Sequence, residues 1–138
     1  MGAVHYALEP ALSAREFRRV LVESGLASIR PVDDLERLQA MLSSAQLVVT
    51  ARLDQPGRPL VGVARTITDF AWCAYLSDLA VVKSAQGLGI GKGLLDATRA
   101  HCGPTAALIL SSVPEAVPFY ERAGMERIAD AFWYRRAR

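Results

Sequence analysis

The chain has 138 residues, 51% of them apolar and 22% charged, with a net charge of +2. That length suits one domain over 1–138 with a core of its own, and the composition is that of a soluble globular protein, expected in the cytoplasm. The charge is too small to argue for nucleic acid, and no apolar run approaches the roughly 20 residues of a membrane span. "MGAVHYALEP" also lacks the basic-then-apolar opening of a secretory signal.

In chain order, "VHYALEP" alternates weakly and reads as a first strand. "SAREFRRVLVESG" puts Phe17, Val20, Leu21 and Ser24 on one helical stripe, with Ser13 as cap and Gly25 as stop. "RPVDDLERLQAMLSSA" repeats the pattern with Leu35, Leu38, Leu42 and Ala45, after an Asp pair suited to a helix start. The texture then changes. "QLVVTARL" and "LVGVARTI" are strand-like and joined by the turn residues of "DQPGRP", which predicts a hairpin. "AWCAYLSDLAVV" is a longer strand, followed by a glycine turn and a helix over about 91–102. "AALILS" is apolar throughout, as in a strand buried on both faces. "PEAVPFYERAGM" reads as a short helix stopping at Gly124, and "ERIADAFWYRR" as one or two final strands. The order β-α-α-β-β-β-α-β-α-β contains a strand–helix–strand crossover, so the expected fold is α/β with a mixed central sheet and helices on both faces.

"QGLGIGKG" is the motif that bears on chemistry. As a nucleoside-triphosphate loop it fails twice: Gln86 stands where the first glycine belongs and Gly93 where the metal-binding hydroxyl belongs. As a dinucleotide fingerprint it also fails, because the third glycine position falls on Lys92 or Leu94. What remains is a strand, then Gln86-x-x-Gly89-x-Gly91, then a helix. Glycines let backbone N–H groups approach an anion, and the helix start adds unpaired amides and a favourable dipole.

This arrangement resembles the signature of the GCN5-related N-acetyltransferase (GNAT) family. "AVPFYERAGM", after an apolar strand, looks like that family's second characteristic motif. The resemblance covers nearly the whole chain and implies the acyl-CoA N-acyltransferase fold. It departs from the family at "KSA", where a proline or acidic residue is common, and at Ser111-Ser112, where asparagine is common.

The resemblance implies an enzyme moving an acetyl group from acetyl-CoA to a primary amine by direct transfer in a ternary complex. It places the pyrophosphate on Gln86, Gly87, Leu88, Gly89, Ile90, Gly91 and Lys92. It places the pantetheine arm and thioester along Leu79, Ala80, Val81 and Val82, with Val82 as the main-chain contact and Ser112 as a further hydroxyl. Such a transfer needs a neutral amine, a stabilised oxyanion and a proton for the departing thiolate. Tyr120 matches the family's tyrosine and, with an ordinary pKa of about 10, is a candidate general acid; the alternative is packing against the cofactor's sulfur end. Asp78 is a candidate base, set against the plainer reading that it satisfies nearby donors.

Other residues carry plainer readings. Cys73 and Cys102 fit no metal-ligand spacing, so no metal is expected, and with no histidine adjoining either in sequence both read as packing. His5 and His101 read as surface residues, and "YRRAR" as a solvated tail. The acceptor is expected to be a small-molecule amine; a lysine side chain or protein N-terminus is the next enzyme reading. A non-catalytic acyl-CoA-binding module is the reading of another class. A monomer or a homodimer through the terminal strands, with Phe132 and Trp133 in contact, both fit.

Overall fold

The computed structural model describes residues 3–138. Five strands form one sheet in the order β1-β2-β3-β4-β5: β1 (Val4–Leu8), β2 (Leu47–Leu53), β3 (Leu60–Thr68), β4 (Cys73–Val81) and β5 (Ala107–Ile109). The first four are antiparallel neighbours, and β5 joins β4 in parallel. The helices are α1 (Ala14–Ser24), α2 (Leu35–Ser44), α3 (Ile90–Cys102) and α4 (Val117–Arg122).

The helix ends follow from the sequence. Ser13 accepts the Glu16 N–H at 3.1 Å and starts α1, which stops at Gly25 with φ of 90°. Asp34 does the same for α2, accepting the Arg37 N–H at 3.0 Å. Phe17, Val20 and Leu21 of α1 and Leu38 and Leu42 of α2 are buried, on the stripes their spacing predicts.

Strand periodicity puts Gly62 and Arg65 on opposite faces of β3. A side chain at Gly62 would collide with Leu94 of α3, whereas Arg65 reaches the Met41 carbonyl of α2 at 3.2 Å. So α3 covers one face and α1 with α2 the other, and β2 and β3 are buried on both.

Three features differ from the sequence reading. β5 is three residues long instead of six, and its terminal residues Ala107 and Ile109 are exposed. α3 begins at Ile90, one residue early. The final strands over "ERIADAFWYRR" do not form: residues 125–138 hold no strand, and Phe132 is 94% exposed. A strand exists through its ladder, and these residues pair with none.

Candidate active site

The loop between β4 and α3 is built by glycines with two different jobs. Gly87 and Gly89 sit at φ of +80° and +81° with open space around them, so what they supply is backbone conformation. Gly91 and Gly93 are packing positions. A Cβ at Gly93 would lie 2.1 Å from the Tyr6 hydroxyl, and one at Gly91 would press on the Phe119 ring at 3.2 Å. Ile90, 1% exposed, anchors the turn in the core. The Gln86 side-chain amide donates to the Val81 carbonyl at 2.9 Å and ties the loop to the end of β4.

The first α3 bond runs from the Gly93 N–H to the Gly89 carbonyl, and the helix has no side-chain cap. Among the described residues, no protein acceptor meets the N–H groups of residues 87–92. Six amides thus line one turn at a helix N-terminus, which fits the chemistry of a pyrophosphate. Lys92 pairs with Asp96 one turn on, at 2.7 and 2.8 Å, and Leu88 is exposed.

β4 and β5 pair at only three positions, Cys73 with Ala107, Ala74 with Leu108 and Tyr75 with Ile109. Beyond them the strands part. The Val82 N–H donates to the Val61 carbonyl at 2.9 Å, so antiparallel alternation turns the main chain of Val82 and Ala80 toward β3. The same alternation turns Leu79 and Val81 toward the opening, with the Val81 carbonyl taken by Gln86. The Leu79 N–H and carbonyl and the Val81 N–H thus face an arm lying in the gap. The register also breaks here: Arg65 faces Asp78 and Thr66 faces Leu76, leaving Ser77 as a bulge.

A buried charge cluster holds that bulge. The Asp78 side chain has no exposed surface, and its two oxygens are taken by Nε of Arg30 and Nε of Arg65. Arg65 also donates to the Ser77 hydroxyl at 2.9 Å, and Arg30 to the Ser77 carbonyl at 2.7 Å and its neighbour Ile29's carbonyl at 3.0 Å. The sequence reading singled out neither arginine. A signal was present: Arg65 interrupts a buried strand next to the strand that carries Asp78, and a buried charge needs a partner.

Tyr120 lies on α4, half-buried, its ring edge-on to Phe119 at 5.0 Å. Burial raises its pKa above the usual phenol value, while the charge of Arg30 pulls the other way. The α4 turn closes at Gly124 (φ +91°), with the Met125 N–H donating to the Tyr120 carbonyl at 3.1 Å. A cavity of about 330 Å³ opens beside Tyr120, bounded by residues 108–112, Val117 and residues 125–128. Ser112 lines it, with its hydroxyl donating to the Val113 carbonyl at 2.7 Å. A cavity of about 440 Å³ lies between α3, β5 and residues 123–126 and includes neither Tyr120 nor Ser112.

Cys73 is exposed and Cys102 buried, its thiol pKa raised by that burial; His5 and His101 are both exposed. Among the described residues, no three His, Cys, Asp or Glu side chains are grouped to hold a metal, and no helix is long and apolar enough to cross a membrane.

The mixed five-strand sheet with its helices matches the fold of solved GNAT-family acetyltransferase structures. The sequence pattern of the Acetyltransferase (GNAT) domain matches residues 19–134, and the chain belongs to the GNAT family of acetyltransferases. Members of that family generally use acetyl-CoA.

A protein of Deinococcus radiodurans R1 assigned as an acetyltransferase shares 24% identity, with 99% of this chain and 94% of that one aligned and a TM-score of 0.76. Glucosamine-6-phosphate N-acetyltransferase of Arabidopsis thaliana shares 15% identity over 96% and 98% of the two chains, with a TM-score of 0.67. An aminoglycoside acetyltransferase from an uncultured soil metagenomic sample shares 22% over 96% and 95%, with a TM-score of 0.68. At these identities the likeness is one of fold. No curated protein matches the chain in sequence.

Proposed function

We propose that this acetyltransferase moves the acetyl group of acetyl-CoA to a primary amine of a small molecule, by direct transfer with both substrates bound. The observation that carries the reading is the parting of β4 from β5, which leaves Leu79 and Val81 with unpaired main-chain groups just before the unmatched amides of the glycine turn. The turn amides of Gly87, Leu88, Gly89, Ile90, Gly91 and Lys92 would hold the pyrophosphate, with Gln86, whose own N–H is taken by the Lys83 carbonyl, bracing the turn against β4. Leu79 and Val81 would hold the pantetheine arm by strand-like bonds, with Ala80 and Val82 fixing their register and Ser112 at the rim. A cavity of about 330 Å³ beside Tyr120 is the size of a small-ligand site, which favours a small molecule over a protein side chain.

Bound acetyl-CoA supplies a thioester: the amine nitrogen bonds to the acetyl carbon, the carbon–sulfur bond breaks, and the sulfur leaves needing a proton. Tyr120 is the donor, from its Oη. Burial keeps that phenol protonated through neutral pH. Asp78 is not given the amine's proton, because each of its oxygens already faces a guanidinium. The proton goes to solvent through the exposed side of the cleft, and Asp78 shapes the bulge instead.

The test is CoA-thiol release from acetyl-CoA across small amines, amino acids, polyamines and lysine peptides, with Tyr120→Phe as control. Release with a small amine, and a loss of about 10²–10⁴-fold in the variant with cofactor affinity kept, is the expected result. Release with lysine peptides alone would replace the small-molecule acceptor with a protein one. Tight acetyl-CoA binding with no release across the panel would turn the reading toward a binding module.

A further inference from the structure

The charge cluster behind the opening does not balance. Two guanidinium groups, Arg30 and Arg65, face one carboxylate, Asp78. Arg65 is nearly enclosed, its side chain 7% exposed, and its bonds to Asp78, Ser77 and Met41 account for it as the partner of Asp78. Arg30 is then the surplus charge. Its side chain is 20% exposed, and it uses three of its five N–H groups, on Asp78, Ser77 and Ile29. Two N–H groups and one positive charge remain, beside the Ser77–Asp78 bulge of β4 that immediately precedes Leu79. An acetyl thioester along Leu79 and Val81 would end there, so what meets Arg30 is the other substrate.

We infer that the acceptor carries an anionic oxygen group, a carboxylate or a phosphate, near its amine, and that Arg30 binds it. This rests on the acetyltransferase reading above and narrows it. Four-fifths burial gives Arg30 a stronger field than a surface arginine. The charged residues that line the cavity beside Tyr120, Glu121, Glu126 and Arg127, are all exposed, so solvent and salt screen them. Arg30 also lies close enough to Tyr120 for its charge to act on the phenol.

The experiment compares matched acceptors under one assay: glucosamine with glucosamine 6-phosphate, an amino acid with its amide, and spermidine as a cation. The anionic member of at least one pair is expected to have a kcat/KM about 10- to 100-fold higher, the range of a hydrogen bond to a charged group. Arg30→Gln should cut that preference to about threefold or less. The variant should still fold, because Arg65 and Asp78 remain as a neutral buried pair, and its melting temperature checks this. Arg30→Lys, which keeps the charge and loses the fork, should retain part of the preference. Which pair responds tells phosphate from carboxylate.

Equal or better use of the neutral amines or spermidine by the wild type would overturn this inference alone and leave the acetyltransferase reading standing. An undiminished preference in a folded Arg30→Gln would do the same. Acetyl-CoA binding with no transfer to any acceptor would overturn both.

Discussion

The chain divides at Cys102 into two stretches built differently. Every buried hydrophobic residue lies at or before it, and after it no residue is buried at all. The first stretch holds four antiparallel strands, three helices, the glycine turn and the Arg30–Asp78–Arg65 cluster. The second holds a three-residue strand, a six-residue helix, and the proposed proton donor Tyr120 with Ser112. Stability should rest mainly on the first stretch, against whose core Leu108, Leu110, Phe119 and Tyr120 pack only partly buried, while on the proposed reading the chemistry depends on the second.

Two substitutions of similar energy should separate the two properties. Phe17→Ala removes a fully buried ring from the first stretch and is expected to destabilise the protein by about 3–5 kcal/mol. Tyr120→Phe is expected to leave the melting temperature within a few degrees while lowering turnover about 10²–10⁴-fold, equivalent to about 3–5 kcal/mol of barrier. Because burial raises the Tyr120 pKa, wild-type turnover should hold through the ordinary phenol range and fall only at higher pH, as the phenol loses its proton. The variant has no such proton to lose. Trp133→Ala, on the exposed tail, should change stability by no more than about 0.5 kcal/mol. A large stability loss in either second-stretch variant would break the division.

A glycine comes next in size and tests the join between cofactor turn and core. Gly93→Ala would place a methyl group 2.1 Å from the Tyr6 hydroxyl, so Tyr6 must move, at an expected cost of about 1–3 kcal/mol. Combining it with Tyr6→Leu should recover part of that cost. A double variant with purely additive losses would show that Gly93 matters for something other than this contact.

How much of this was legible in the sequence follows the same division. The stripes of α1 and α2, the cap at Ser13, the Asp pair at the start of α2, the β2–β3 hairpin and the glycine turn were all readable, because local periodicity and turn chemistry specify them. The final strands were not. "ERIADAFWYRR" has the aromatic content of a strand, but only a paired neighbour makes one, and a single segment does not show whether a partner edge exists. In the site, the glycine turn and Tyr120 could be read from motifs in "QGLGIGKG" and "PFYERAG". Arg30 could not, since it lies 48 positions from Asp78 and its role comes from a bulge that only the paired register reveals. The four loop glycines read as one motif, while the structure assigns two to conformation and two to packing.

The smallest expected effect probes the solvent-facing edge of the first stretch, where the division predicts that even well-made hydrogen bonds count for little. Asp69, in the turn between β3 and β4, accepts the N–H groups of Trp72, Ala71 and Cys73 at 2.8, 2.8 and 3.1 Å. These bonds pull its pKa from 3.8 down to about 2. A carboxyl depressed in the folded state stabilises the fold at pH values above its unfolded pKa, and that contribution fades as pH falls from about 4 to about 2. Asp69→Asn keeps one acceptor oxygen and loses the charge. The variant should therefore melt slightly below the wild type at pH 7, with the gap closing by about pH 2. The group is fully exposed, so the gap at pH 7 should be small and should shrink further in high salt. A gap unchanged between pH 7 and pH 2 would mean that the carboxylate's charge plays no part in holding the turn, and that the shape of the side chain alone sets the start of β4.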